Sequence, residues 1–373
     1  MNQSKRFLEL DGIRGLAALA IVLFHYAGSY QWSPHNLYYY FSYLEEFVQL
    51  FFIISGFVIL ISFQRINNSI DFIMGRVFRL YPAYWFSVIT TIVIAYISQR
   101  PLRSDNLYDI LINFSMFQEM VGSRNINIVY WTMTLELAFY TIILILYQSR
   151  LLKYIDIICG IWLILIVFDI FRAYQSPGLS LTILGNLPRD QALIYPDFLG
   201  LFNWDNLPEF ISFIRNYIKF NFILLRGRAP LFIAGLILYQ CQVNGVSIYR
   251  VFLIVACVLA RALDYSPGTP KYAFIFFAIF VVILYLAHRE KLRFLSTRIL
   301  VFLGGISYSL YLTHIQSSWL FNWSLQSLDI PPELSVIVRT IFAILVAYIV
   351  TIAIEKPALR FFRNQFKRNK STS

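Results

Sequence analysis

The sequence predicts an all-α, polytopic membrane bundle, and three observations carry that prediction. Of its 373 residues 58% are hydrophobic and only 14% charged, against about 25% charged in a typical soluble domain. The apolar residues fall in long blocks, among them 16–24, 47–63, 85–97, 157–171, 273–286 and 341–354. Short alternating segments, the pattern of a membrane β-barrel, are not what the chain shows.

Ten spans follow from these blocks, near 10–30, 45–64, 80–98, 127–148, 154–172, 222–240, 250–263, 271–287, 299–315 and 335–354. Several in the second half are short for a hydrocarbon core of about 30 Å, which predicts tilted or broken helices there. The first block contains Asp11, Arg14 and His25 and lacks the order of a cleavable signal, so it reads as a retained helix. Basic residues collect at alternate ends of the spans: Arg14; Arg65, Arg76 and Arg79; Arg150 and Lys153; Arg250; Arg289 to Arg298; and the tail 356–373. Segments 28–44 and 316–334 contain no Lys or Arg. An even number of spans with both termini in the cytoplasm satisfies the positive-inside rule. The net charge of +11 is then an orientation signal and not the footprint of a nucleic acid. The basic tail is expected to lie on anionic lipid at the inner surface.

Segment 173–221, with Pro177, Pro188, Pro196 and Pro208, is too polar to be one helix in lipid and reads as an outer-face elaboration. No internal repeat, low-complexity stretch or appended soluble domain is visible, so residues 1–373 read as one membrane domain. Cys159, Cys241 and Cys257 sit in or beside apolar segments, without metal-ligand spacing, and read as packing residues.

Chemistry is concentrated on a few polar side chains inside these spans. Arg14 and His25 are eleven residues apart, almost three helical turns, so they leave one face of the first helix about 16 Å apart along its axis. Ionisable groups in lipid are costly and tend to mark sites. Asp11, three residues before Arg14, is placed to pair with it. An imidazole at His25 suits general-base work on a hydroxyl. Gly75 to Pro82 reads as the first inner loop. Its Arg76 and Arg79, one turn apart, would offer two guanidinium forks to a phosphorylated ligand, although the positive-inside rule alone also accounts for them.

Ser55 and Gly56, on the second span, allow either close helix contact or a small-residue substrate passage. Trp131 to Tyr140 brings Glu136 to the outer end of the fourth span, where its cationic partner must come from elsewhere. By depth that partner is His25, whose imidazole a carboxylate would orient; pairing with Arg124 or a neutral carboxyl is the alternative. The run from Gly304 to His314 adds Tyr308 and His314, the latter either lining an acceptor site or hydrogen-bonded at the interface. His35 and His288 read as solvated residues. Trp32, Tyr38, Tyr39, Tyr40, Trp204, Trp319 and Trp323 crowd the outer side as an interfacial belt, some of them placed to stack on sugar rings.

Taken together these residues resemble the acyltransferase 3 family of bacterial integral membrane acyltransferases. The resemblance rests on Leu10-Asp11-Gly12-Ile13-Arg14-Gly15 leading into Phe24-His25, the Phe51-to-Phe57 run, Arg76-x-x-Arg79, Trp131 through Tyr140, Ser307-Tyr308-x-x-Tyr311-Leu312-x-His314, and Glu355-x-Pro357, in that order. It implies a ten-helix bundle in the bacterial inner membrane, with no bound cofactor. Such a protein takes an acyl group, expected to be acetyl, from cytoplasmic acyl-CoA and places it on a hydroxyl of an exported glycan or glycolipid. It further implies roles for Arg14 and His25 and for Arg76 and Arg79. On this reading Arg14, Arg76 and Arg79 bind the donor, and His25 with Glu136 performs the transfer. Ser55, Gly56, Trp131, Tyr308 and His314 are candidates for the acceptor side or channel. A transporter or flippase of an acyl donor or lipid-linked glycan would use the same intramembrane charges, but it would commonly carry an inverted repeat.

Overall fold

The computed structural model describes residues 7–29, 37–64, 66, 68–175, 225–263, 272–325 and 330–371. Trp32, His35, Arg65, Trp204 and nearly all of segment 173–221 lie outside the described residues. Among the described residues every regular element is helical. They are α1 (Leu8–Gly28), α2 (Leu37–Phe63), α3 (Ser69–Ile97), the short α4 (Leu107–Asn113), α5 (Ile128–Gln148), α6 (Leu151–Phe171), α7 (Ala229–Asn244), α8 (Ile248–Ala262), α9 (Ala273–His288), α10 (Arg298–Ser324) and α11 (Pro332–Val350). A π-helical turn, Thr351–Glu355, carries α11 without a break into α12 (Lys356–Ser371).

Seven of the described helical runs are long and apolar enough to cross a membrane: α1, α2, α3, α5, α6, α10 and the run Pro332–Gln365. Among the described residues these seven do not by themselves make up the ten expected spans. The segments expected near 222–240, 250–263 and 271–287 fold as α7, α8 and α9, with 16, 15 and 16 residues. Such helices rise only about 24 Å, less than the ~30 Å of a hydrocarbon core.

Two other expected boundaries move. The Gly75–Pro82 stretch is helical and not an inner loop, because α3 starts at Ser69, where the Asn68 side chain accepts the Asp71 amide at 2.8 Å. α10 continues to Ser324 through the polar residues 316–318, which read as a loop in the sequence. The structure buries them and gives two of them partners: Gln316 Nε2 donates to Ser87 Oγ at 2.9 Å, and Ser318 Oγ accepts from Arg339 at 2.6 Å. No Gly or Pro interrupts that stretch, so nothing in the backbone ends the helix.

α1 packs chiefly on α10, which also packs on α11, and α2 packs chiefly on α7. Both main contacts are close backbone crossings. A Cβ at Gly304 would sit 2.0 Å from the Asp11 carbonyl oxygen, and one at Gly15 would sit 2.5 Å from that of Leu300. At α2–α7, a Cβ on Gly56 would lie 2.2 Å from the Phe232 oxygen. Small residues bring helices together in lipid, where dispersion and hydrogen bonds replace the hydrophobic effect. Gly304→Val should therefore leave little monodisperse protein after detergent extraction, since a 2.0 Å clash with backbone cannot be relieved by a rotamer change.

A buried polar layer ties α3, the start of α5 and α10 together. Tyr130 Oη shares hydrogen bonds with Ser87 Oγ (2.8 Å) and Thr91 Oγ1 (3.0 Å), Ser87 donates to the Leu312 carbonyl (2.7 Å), and Thr132 donates to Tyr311 Oη (3.0 Å). These bonds set the height of α10 against α3 and α5. One end of the bundle collects positive charge. Gly12 touches the backbone of Leu295, inside the basic stretch 289–298, and Phe78, beside Arg79, stacks on Phe362 of the basic α12.

Candidate active site

Two cavities sit at different heights along α1. The first, about 490 Å³, lies among α1, α2, α3, α5 and α10. It is lined by Asp11, Arg14, Ser55, Ser62, Arg76, Arg79, Glu136, Tyr140, Tyr308 and Tyr311, with apolar residues such as Phe51, Phe52 and Val58 between them. The three arginines expected to act together thus share one chamber, because one turn of α3 separates Arg76 from Arg79 and α1 faces them with Arg14. Arg76 is held firmly: it donates to Ser62 Oγ, and its guanidinium lies 4.6 Å from the Tyr140 ring centre and 5.2 Å from that of Phe72.

Glu136 is in this chamber as well. Its Oε1 accepts from Ser55 Oγ at 3.0 Å and from the Tyr140 hydroxyl one turn along α5. Its field reaches Arg14, Arg76 and Arg79, and so does that of Glu355 for Arg14 and Arg79. Glu355 enters because the π-helical turn at 351–355 directs its carboxylate to Ser309 Oγ, 3.0 Å away. A single π turn inside an α run is uncommon and often found at functional sites.

The second cavity, about 570 Å³, is lined by His25, Tyr26, Ser29, Arg100, Ser318, Trp319, Asn322, Ser335 and Arg339. His25 lines this chamber, not the one holding Glu136, so the expected pairing of these two does not form. The reason is the register of α1 on α10. The Gly15–Gly304 crossing sets His25 beside His314, whose Nε2 is 3.1 Å from His25 Nδ1. The same His25 nitrogen is 3.0 Å from the Ile21 carbonyl oxygen. His314 is fully buried, with its Nδ1 on the carbonyls of Tyr311 (2.8 Å) and Leu310 (3.2 Å). Tyr26 secures the pair by donating to the His314 carbonyl at 2.7 Å.

Along α10 the two chambers are close. Tyr311 lines the first and Ile315 the second, one turn or about 6 Å apart. The remaining sequence candidates divide. Ser55 and Tyr308 line the first chamber, the latter with its hydroxyl on the Leu80 carbonyl at 2.8 Å. Gly56 is taken up by the α2–α7 contact, and Trp131 packs on Phe52 and under the Arg228 guanidinium.

Sequence reasoning missed Glu355 as a charge facing the arginines, and it missed Arg339. That arginine is 1% exposed, lies 4.5 Å from the Tyr26 ring centre and donates to Ser318. A lone arginine inside an apolar block was a usable signal. Tyr140, four residues after Glu136, was another.

A family model described as an acyltransferase domain, that of acyltransferase 3, matches residues 7–356, nearly the whole chain. No curated protein and no solved structure matches it.

Proposed function

Because the chain belongs to the acyltransferase 3 family of membrane proteins, we propose that it is an O-acyltransferase moving an acyl group, preferably acetyl, from acyl-CoA to a hydroxyl of an exported glycan. The observation that carries this reading is the pair of chambers on one helix face, a cationic one around Arg14, Arg76 and Arg79 and a polar, aromatic one around His25. The CoA phosphates suit the first, where arginine forks offer charge-assisted hydrogen bonds. The sugar suits the second, with Trp319 as a stacking surface and Asn322 and the serines as hydrogen-bonding partners. The thioester passes the single turn of α10 between Tyr311 and Ile315 to reach the imidazole.

By the positive-inside rule the Arg14 end, with its basic neighbours, faces the cytoplasm, which is where acyl-CoA is made. On this reading the protein resides in a bacterial inner membrane, and α7, α8 and α9 are short or tilted crossings that complete ten spans with two cytoplasmic termini. In the reaction His25 takes the hydroxyl proton as the oxygen bonds to the acyl carbon; the C–S bond then breaks and the CoA thiolate recovers the proton. Glu136, bonded to Ser55 and Tyr140, orders the donor chamber.

Transfer of labelled acetyl from acetyl-CoA to envelope material, in membranes that contain the protein, tests the proposal. Label in a glycan fraction is the expected result and identifies the acceptor class. Absence of label with folded protein and native envelope would overturn it and favour a transport function.

A further inference from the structure

We infer that His314 is a positioning residue that, with the Ile21 carbonyl, holds His25 in one tautomer, with the proton on Nδ1 and the basic lone pair on Nε2. The inference rests on the proposed transfer for its kinetic consequence, but its geometry stands independently. His314 Nδ1 faces two carbonyl oxygens, Tyr311 at 2.8 Å and Leu310 at 3.2 Å. A carbonyl only accepts, so this nitrogen carries a hydrogen. His25 Nδ1 likewise faces the Ile21 carbonyl at 3.0 Å and so also carries one. Between His25 Nδ1 and His314 Nε2, 3.1 Å apart, there is room for a single proton. It belongs to His25, shared between Ile21 and His314 as a three-centre bond. His314 Nε2 is therefore the acceptor and His314 is neutral.

The direction of the chain of bonds follows: backbone carbonyl, His314, His25, reacting hydroxyl. Which ring nitrogen of a histidine is basic depends on what the other one binds. Acyl-transfer enzymes commonly assign that role to a carboxylate; here a second imidazole, itself oriented by the α10 backbone, shares it with the Ile21 carbonyl. Because His314 sits on the wall between the chambers, its ring also holds His25 at a fixed height above the donor chamber. In the transfer step Nε2 of His25 takes the hydroxyl proton while Nδ1–H remains bonded to His314. No proton moves onto His314 and none is lost.

Two measurements test this, one without turnover. In protein labelled with ¹⁵N at its four histidines, the nitrogen spectrum distinguishes protonated from lone-pair ring nitrogens, and the His25→Ala spectrum identifies the His25 signals. Protonation of His25 at Nδ1 is expected, with the Nδ1 signal displaced in His314→Phe, where the Ile21 carbonyl is the remaining acceptor. A His25 proton on Nε2 in the unaltered protein would overturn the inference whatever the activity.

The second measurement is acetyl transfer from acetyl-CoA to native envelope. His314→Phe should lower kcat about 100-fold with the acetyl-CoA KM unchanged, because a misdirected base affects the chemical step. His314→Gln, whose amide oxygen can accept from Nδ1–H, should recover to within about tenfold of the parent protein. Equal loss in Phe and Gln variants, or no loss in Phe, would show that His314 only fills space. If the parent protein itself transfers nothing, the function proposal fails while the nitrogen spectrum still decides the tautomer.

Discussion

Alanine at His25 should abolish acyl transfer while leaving acyl-CoA bound. General-base removal costs on the order of 10²–10⁴ in rate, enough to bring an envelope-labelling assay to background. Donor affinity, measured by calorimetry with CoA, should stay within about twofold, because His25 lines the second chamber and the arginines line the first. The variant removes the ring that His314 faces but leaves the Gly15–Gly304 crossing intact, so it should fold. If it loses transfer and donor binding in parallel, the chambers do not divide the work. Transfer at the parental rate would place the base on another residue.

Alanine at Arg76 or Arg79 should have the opposite signature. Hydrogen bonds to charged groups contribute about 1.5–3 kcal/mol, so each substitution should weaken CoA binding about 10–100-fold, with a smaller fall in rate at saturating donor. Arg76 is pre-oriented by Ser62, Phe72 and Tyr140, and lysine, lacking a planar fork, should restore little there. Arg79 should accept lysine better, since no such bracket of rings surrounds it among the described contacts. Removing a neighbouring negative charge should act in reverse: Glu136→Gln leaves the chamber more positive and should tighten CoA binding, most visibly at low ionic strength. Weaker CoA binding in Glu136→Gln would mean that this carboxylate supports the arginines structurally more than it opposes the phosphates.

How much of this was legible in the chain differs residue by residue. Arg76 and Arg79 were readable as partners because a helix brings i and i+3 to one face wherever it lies, so mistaking the start of α3 for a loop did not separate them. Ser55 was readable as a cavity residue or a packing residue but not as one rather than the other. Its neighbour Gly56 went to packing only because Phe232, far along the chain, presses on it. Glu136 was legible as an intramembrane carboxylate, but its partner was misassigned. Depth alone placed it near His25, whereas its hydrogen bonds go to Ser55 and Tyr140. Glu355 was hidden because a π turn, invisible in apolar periodicity, directs it inward.

The sequence by itself determined that this is an all-helical membrane protein and that Arg14 and His25 share a face. In hydrocarbon each backbone polar group must be satisfied within its own helix, which makes hydropathy a direct record of helices, and 3.6 residues per turn does the rest. The tertiary structure decided which groups those side chains meet. His314 lies 289 residues from His25, and the contact exists because glycines let α1 and α10 approach to backbone distance. It also decided that three expected crossings are only 15 or 16 residues long and that the arginines and the imidazole open into different chambers. Local periodicity records the face a residue occupies; only the packing of distant segments records what stands opposite.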